Sequence, residues 1–167
     1  HIEKVSGKIY GAKDSDTKAF RIIADHMKAA VFLIADGISP SNADQGYFVR
    51  RLIRRAVRYS DILGVKQSTL AYVVEPITKM YKLAYKEIDA NDMVAKIIGT
   101  IVDEETRFRR TLERGVKEFE HFIKDGSLSA DDVFQLVTTY GFPLELVLEE
   151  AAEKGIKNVD TEAVYKL

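Results

Sequence analysis

Apolar residues recur every three or four positions over most of the 167-residue chain, which is the spacing of one face of an α-helix. The pattern predicts a helix from Thr17 to Ala35 that is apolar most of the way round. A second helix is predicted from about Gln45 to Leu63. A third segment, from Lys66 to Asp89, should be kinked or split at Pro76, because proline cannot donate a backbone hydrogen bond.

Further apolar stripes follow in the second half of the chain. Asn91 is predicted to cap a long helix that continues to Lys124, and Ser129 to begin a short helix that ends near Tyr140. Pro143 suits the first position of another helix, which should run to Lys154. A last helix is predicted to begin at Asp160.

The first thirteen residues lack this periodicity, so we expect them to be irregular or weakly extended. No later segment alternates between apolar and polar residues as a β-strand does. The predicted fold class is therefore all-α, an irregular helical bundle of about six helices with one long helix.

The composition indicates a globular protein with a hydrophobic core, since 46% of the residues are hydrophobic and 31% are charged. The chain has no cysteine, which excludes disulfides and thiolate chemistry and is typical of a reducing compartment. The longest apolar run, residues 29–35, is too short to span a membrane, so no membrane partner is expected. The first residue is not methionine and the last lies in a predicted helix, so we interpret the chain as a piece of a longer protein.

The second helix carries five arginines with no acid between them. At about 100° per residue they fall within an arc of roughly 140°, opposite the apolar face. They are Arg50, Arg51, Arg54, Arg55 and Arg58. Guanidinium groups stay charged and match phosphate oxygens, so this arginine face predicts a contact with nucleic acid. The alternative is a face neutralised by acids of neighbouring helices, since the net charge of the chain is only −1.

No set of residues forms a recognisable catalytic or metal site. The three histidines lack zinc-ligand spacing, and the chain has neither a glycine-rich phosphate loop nor a Gly-x-Ser-x-Gly motif. We therefore expect the isolated chain to be non-catalytic. Asp25 and His26 are neighbours that should not face each other on a helix, and His26 is interpreted as a hydrogen-bonded interior or interface histidine. The acidic run Asp103–Glu105 is expected to be a solvated face.

Three ordered groups of residues resemble the alanyl-tRNA synthetase family. The first lies within residues 17–64 and comprises Arg21-Ile22-Ile23-Ala24-Asp25-His26, Phe32-Leu33-Ile34-Ala35-Asp36-Gly37, Pro40-Ser41-Asn42, Gly46-Tyr47 and the arginine helix. The other two are Thr111-Leu112-Glu113-Arg114-Gly115 and Thr139-Tyr140-Gly141-Phe142-Pro143. Together these groups span nearly the whole chain.

The resemblance implies a helical middle domain that follows a class II aminoacylation core. Residues 1–13 would then be the tail end of the catalytic region or a linker, and residues 14–167 the helical tRNA acceptor-stem recognition domain, subdivided near residues 125–130. Its partners would be the acceptor stem of tRNA(Ala) and the catalytic and editing domains of the same full-length chain. A cytoplasmic location is implied. ATP and Mg²⁺ would serve the full-length enzyme, with no cofactor in this fragment.

In the family this domain reads a G·U wobble pair, whose guanine amino group points into the wide, shallow minor groove of RNA. Asn42 stands in the family's Pro-Ser-Asn context, and its amide can both donate and accept. Without the resemblance, Asn42 would be interpreted as a turn residue that bonds its own backbone. The family's second reader is an aspartate, but this chain has Thr138 there, which keeps a hydroxyl and loses the charge. Glu145 is the nearby carboxylate that could compensate.

The predicted tRNA-binding residues are thus Asn42, the five residues of the arginine face and Thr138. A second hypothesis is a helical interaction module whose arginine face pairs with an acidic protein partner. A helix-turn-helix DNA reader is a third. If the tRNA of this protein carries a signal other than G·U, Thr138 would be matched to that signal.

Overall fold

A computed structural model describes residues 1–65, 69–123, 126–156 and 159. In this part of the chain all regular structure is helical, which confirms the predicted all-α class. The helices are α1 (Ile2–Ser6), α2 (Asp14–Ala35), α3 (Asp44–Ile62), α4 (Val74–Tyr81), α5 (Asn91–Phe122), α6 (Ala130–Thr138) and α7 (Leu144–Glu153). Two 3-10 helices, Leu70–Val73 and Lys86–Asp89, flank α4. None of the helices described is long and apolar enough to cross a membrane.

The prediction that residues 1–13 are irregular or weakly extended is wrong for Ile2–Ser6, which form the helix α1, and is confirmed for residues 7–13, which are irregular. This helix buries none of its side chains, so no apolar stripe marks it in the sequence. It ends at Gly7, whose φ of 67° lies in the left-handed region that glycine adopts readily. The helix is therefore held by local backbone hydrogen bonds, which the spacing of apolar residues does not indicate.

The predicted segment from Lys66 to Asp89 is split near Pro76, which is one of the two outcomes that the sequence predicted. Pro76 lies two residues after the start of α4, in the first turn, where a backbone N–H would have no partner within the helix. The residues ahead of it turn as the 3-10 helix Leu70–Val73. Residues 66–68, the beginning of the predicted segment, lie outside the described residues.

The chain forms two compact units, residues 1–108 and 109–167, and the division falls within α5. In the first unit α2 packs most extensively against α3, and α4 also contacts α2. The fully buried residues of this packing include Met27, Ala30, Val31, Val49, Ile53, Ala56 and Val57. The domain division expected from the sequence, after residue 13 and near residues 125–130, stays a prediction.

In the second unit α6 packs against α7, and α6 begins after Ser129, as predicted, with a capping box. The Ser129 hydroxyl accepts a hydrogen bond from the Asp132 N–H at 3.1 Å, while the Asp132 carboxylate accepts one from the Ser129 N–H at 3.0 Å. α7 begins directly after Pro143. The predicted last helix from Asp160, and Lys124 at the predicted end of the long helix, lie outside the described residues.

Candidate nucleic-acid interface

Asn42 lies in the turn between α2 and α3, where its side chain is exposed. The backbone of this turn is held by Ser41, whose hydroxyl donates to the Ala43 carbonyl at 2.8 Å and accepts from the Ala43 N–H at 3.3 Å. The Asn42 side chain instead accepts a hydrogen bond, through Oδ1, from Nη1 of Arg50. Asn42 is thus a turn residue whose amide contacts the arginine helix and not the backbone of its own turn.

The Asn42 turn packs closely onto the start of α3 at Gly46. A Cβ atom at Gly46 would overlap Ser41 Oγ and lie 2.5 Å from the carbonyl oxygen of Ser39. The Ser41 N–H donates to the Gly46 carbonyl at 3.0 Å and keeps the two backbones at this separation. Only glycine fits such a close approach, so Gly46 sets the position of the turn over α3.

Two of the five arginines meet at one buried carboxylate. Arg54 Nε donates to Glu104 Oε1 at 2.7 Å, and Arg50 Nε lies 3.4 Å from the same oxygen. The Glu104 side chain is only 3% exposed. Arg50 and Arg54 are therefore paired with an acid of another helix, as the alternative interpretation of the arginine face expected.

The expectation that Asp103–Glu105 form a solvated face is wrong for two of its three residues. Asp103 is exposed, but Glu104 and Glu105 are buried. Glu105 accepts the backbone N–H groups of Thr69 and Leu70 at 3.3 and 3.2 Å and so caps the 3-10 helix at Leu70–Val73. A buried carboxylate is stable when it is paired or hydrogen-bonded, as both of these are.

The sequence does carry a signal for these two buried acids. Positions 104 and 105 lie three and four residues after Ile101, and Phe108 follows Glu104 by four, so both acids continue the apolar stripe of α5. Ile101 and Phe108 are both fully buried. An acid on a core stripe near an arginine-rich helix indicates an internal ion pair, so this spacing could have identified Glu104, which was not among the predicted residues.

Aromatic rings also hold the arginine face in place. The Arg54 guanidinium lies 5.0 Å from the ring centre of Phe108, Arg51 lies 5.7 Å from Phe48, and Arg55 lies 5.8 Å from Tyr59. These are cation–π distances. Of the five arginines, Arg51 is exposed and the other four, including Arg58, are half-buried. The face is therefore ordered by the protein itself and has its most accessible charge at Arg51.

His26 of α2 is 15% exposed at its side chain, as an interior histidine would be. Its Nδ1 lies 3.5 Å from Asp25 Oδ2, so these neighbours do approach each other, although Nδ1 makes no hydrogen bond to any described residue. Burial lowers the pKa of His26, Arg55 lowers it further, and Asp25 opposes both effects. The pKa of His26 therefore lies below its usual value, which favours the neutral imidazole. Among the described residues no group of three or more His, Cys, Asp or Glu side chains could hold a metal ion.

In the second unit, the structure brings together the motifs at residues 111–115 and 139–143. A Cβ atom on Gly115 would lie 2.9 Å from Cγ of Phe142, which is fully buried. The Arg114 guanidinium lies 5.4 Å from the ring centre of Tyr140. The glycine of the first motif thus leaves room for an aromatic ring of the second, and these contacts hold the segment that follows α6.

Thr138 is exposed at the last residue of α6. Its hydroxyl donates to the Phe134 carbonyl at 2.7 Å, which occupies its only hydrogen and leaves the oxygen lone pairs as acceptors. Glu145 is half-buried in the first turn of α7. The second unit therefore presents an acceptor at Thr138, whereas Asn42 and the arginine face all belong to the first unit.

Comparison with known proteins gives a consistent result over the full length of the chain. The family described as tRNA synthetases class II (A) matches residues 1–167. An alanine–tRNA ligase of Borreliella afzelii (strain PKo) is 44% identical over 160 residues, which cover 92% of this chain and 26% of that protein. The enzyme of that name from Thermotoga maritima is 40% identical over 167 residues, 99% of this chain and 19% of the relative. The one from Lactobacillus acidophilus is 42% identical over 161 residues, 93% of this chain and 18% of the relative. The chain thus spans about a fifth to a quarter of the length of these relatives.

Proposed function

Because the chain belongs to the alanine–tRNA ligase family of class II tRNA synthetases, we propose that it is the tRNA acceptor-stem recognition domain of such a ligase. Its role is to position tRNA(Ala) for aminoacylation. ATP and Mg²⁺ are proposed as cofactors of the full-length enzyme, with none in this fragment. The catalytic and editing domains of the same chain are its other proposed partners, and its proposed location is the cytoplasm.

The observation that carries this proposal is the exposed Asn42 amide, held by Arg50 in front of the arginine face. Arginine only donates hydrogen bonds, so the atom that faces Arg50 is Oδ1, and the Nδ2 group remains to donate to a ligand. Minor-groove edges of RNA offer acceptors such as pyrimidine O2 and ribose hydroxyls. Arginines around such a reader are suited to the flanking phosphates.

The second unit adds a proposed contact of its own at Thr138. The Thr138 oxygen can accept a hydrogen bond from a donor such as the free amino group of a wobble guanine. A neutral hydroxyl is a weaker acceptor than the carboxylate the family places there. We therefore propose that this chain recognises a G·U pair through Asn42 and through a second contact, at Thr138, that is weaker than the family's carboxylate contact.

The arginine face can be tested by the salt dependence of binding in the full-length enzyme. Arg51→Ala should weaken binding of all tRNAs to a similar degree, because a phosphate contact carries no sequence information. The slope of log affinity against log salt should shrink by roughly 0.7–0.9 for each phosphate that the variant no longer binds. Lys96→Ala removes an exposed cation from α5 and serves as the charge-matched control, with an unchanged slope. If each of the five arginines in turn left the slope unchanged, the face would be assigned to an acidic protein partner.

Base reading can be tested by charging tRNA(Ala) variants with G·U or G·C at the recognised pair. Asn42→Ala should reduce discrimination between them by about 1–3 kcal/mol, the scale of one good base contact. Asn42→Asp is the matched control for the donor, since it keeps an oxygen for Arg50 and removes the NH₂ group. It should lose discrimination as well. Thr138→Asp should sharpen discrimination, because a carboxylate is the stronger acceptor. Reduced charging of the natural tRNA by Thr138→Asp would show that this tRNA carries a different signal.

A further inference from the structure

Glu104 is a buried acid that is paired with two more exposed arginines, Arg50 and Arg54. Its side chain is 3% exposed, whereas those of Arg50 and Arg54 are 18% and 20% exposed. A buried carboxylate must be compensated by partners, and here two arginines of α3 supply that compensation. Two positive charges face one negative charge, so the three side chains together keep a net positive charge toward solvent.

The contacts form a continuous path from the core of the first unit to the proposed RNA reader. At the inner end Arg54 bonds to Glu104 and lies over the ring of Phe108, which is fully buried. The carboxylate also forms an ion pair with Arg50, whose Nε lies 3.4 Å from Glu104 Oε1 without a hydrogen bond. At the outer end, Nη1 of the same guanidinium donates to Asn42 Oδ1. Two different nitrogens of one planar group thus connect a buried acid to an exposed amide.

We propose that Glu104 is a positioning residue for RNA recognition: it fixes the guanidinium of Arg50, which in turn fixes the Asn42 amide. The inference rests on the proposed function, in which Asn42 contacts RNA. An exposed asparagine in a turn would otherwise sample several rotamers, and ordering it on binding would weaken discrimination. Glu104 acts through Arg50 and has no need to touch RNA.

The charge of Glu104 gives this role a signature that separates it from a purely structural one. Glu104→Gln keeps the shape of the side chain and one acceptor oxygen but removes the negative charge that holds Arg50. The released guanidinium can then pair with any phosphate, and the arginine face gains one net positive charge. Affinity for unrelated RNA should therefore rise while discrimination between G·U and G·C falls.

The test uses the full-length enzyme, matched tRNA(Ala) variants with G·U or G·C, and unrelated tRNA as competitor. We expect Glu104→Gln to reduce discrimination about fivefold or more, the low end of one base contact. It should also bind the competitor more tightly and with a steeper salt slope. Glu105→Gln is the matched control, because it neutralises the adjacent buried carboxylate, which caps the backbone at Thr69 and Leu70. It should leave discrimination unchanged in the folded enzyme.

A double-mutant cycle separates this inference from the proposed function. In an Asn42→Ala background, Glu104→Gln should cause no additional decrease in discrimination. If Asn42→Ala alone has no effect on discrimination, the proposed function fails. If Asn42→Ala has its effect but folded Glu104→Gln discriminates like the natural enzyme, only the positioning role of Glu104 is overturned.

A second variant keeps the inference testable if Glu104→Gln does not fold. Arg50→Lys retains the positive charge at this half-buried position of α3. It loses the planar guanidinium that contacts Glu104 and Asn42 at the same time. It should reduce discrimination with an unchanged salt slope. Retained discrimination in a folded Arg50→Lys enzyme would overturn the path from Glu104 to Asn42.

Discussion

Replacing Gly46 with alanine should destabilise the first unit by about 1–3 kcal/mol, the usual cost of an overpacked contact. The new Cβ atom would lie 2.5 Å from the carbonyl oxygen of Ser39, a backbone atom that cannot turn away as a side chain can. The hydrogen bond from the Ser41 N–H to the Gly46 carbonyl holds the turn at this distance. Relief therefore requires the turn to leave α3, and Asn42 moves with it.

Amide hydrogen exchange can assign this destabilisation to the first unit, since lower protection should appear in α2 and α3. Discrimination by the full-length enzyme should fall with it. Ser41→Gly in the Gly46→Ala background removes the clash with the Ser41 side chain but leaves the clash with the Ser39 backbone. Only partial recovery of stability is expected. Full recovery would show that the side chain of Ser41, and not the backbone of the turn, requires glycine at position 46.

Replacing Gly115 with alanine should likewise destabilise the second unit by about 1–3 kcal/mol. A Cβ atom there would lie 2.9 Å from Cγ and 3.0 Å from Cβ of Phe142. Phe142 is fully buried and also meets the ring of Phe119 edge-on, with ring centres 6.4 Å apart. Its Cβ is bound to the backbone, so the ring has little freedom to withdraw. The clash is expected to exceed the gain of about 1 kcal/mol that alanine brings to a helix interior.

Gly99 provides a matched control, because it belongs to the same helix, α5, and is exposed with open space around it. Gly99→Ala should stabilise the chain by up to about 1 kcal/mol through helix propensity alone. The same substitution should therefore have opposite signs at two positions of one helix, as measured by thermal unfolding. Amide exchange should locate the effect of Gly115→Ala in α6 and α7, and that of Gly99→Ala in the part of α5 that belongs to the first unit. Equal stabilisation by both variants would show that Phe142 moves aside at little cost.

Helix boundaries were predicted well where local interactions set them. The arginine helix, predicted from Gln45 to Leu63, runs from Asp44 to Ile62, and Ser129 begins α6 as expected. Periodicity and capping involve residues within a few positions of each other, so a sequence shows them directly. α1 was missed because it has no buried face to produce a periodic signal.

The sequence predicted only those parts of the candidate site that depend on residues close to each other in the chain. Asn42 and the arginine face were identified from the resemblance and from helix geometry, and their role in RNA binding stays a prediction. The contact from Arg50 to Asn42 depends on how the turn folds back over α3, and Gly46 permits that approach. The only sign of such close backbone packing in the sequence is a glycine. Glycine also occurs for many other reasons, so its presence does not predict this contact.

By itself the sequence determined that this protein is helical, that it belongs to its family, and that five arginines share one side of α3. The helical class and the arginine face follow from residue types and short spacings, and the family follows from the resemblance of the ordered motifs. Only the tertiary structure decided which arginines meet an internal acid, because Glu104 is 50 residues from Arg54 in sequence. Their pairing exists only once α5 packs beside α3, and burial then makes the carboxylate dependent on its arginine partners.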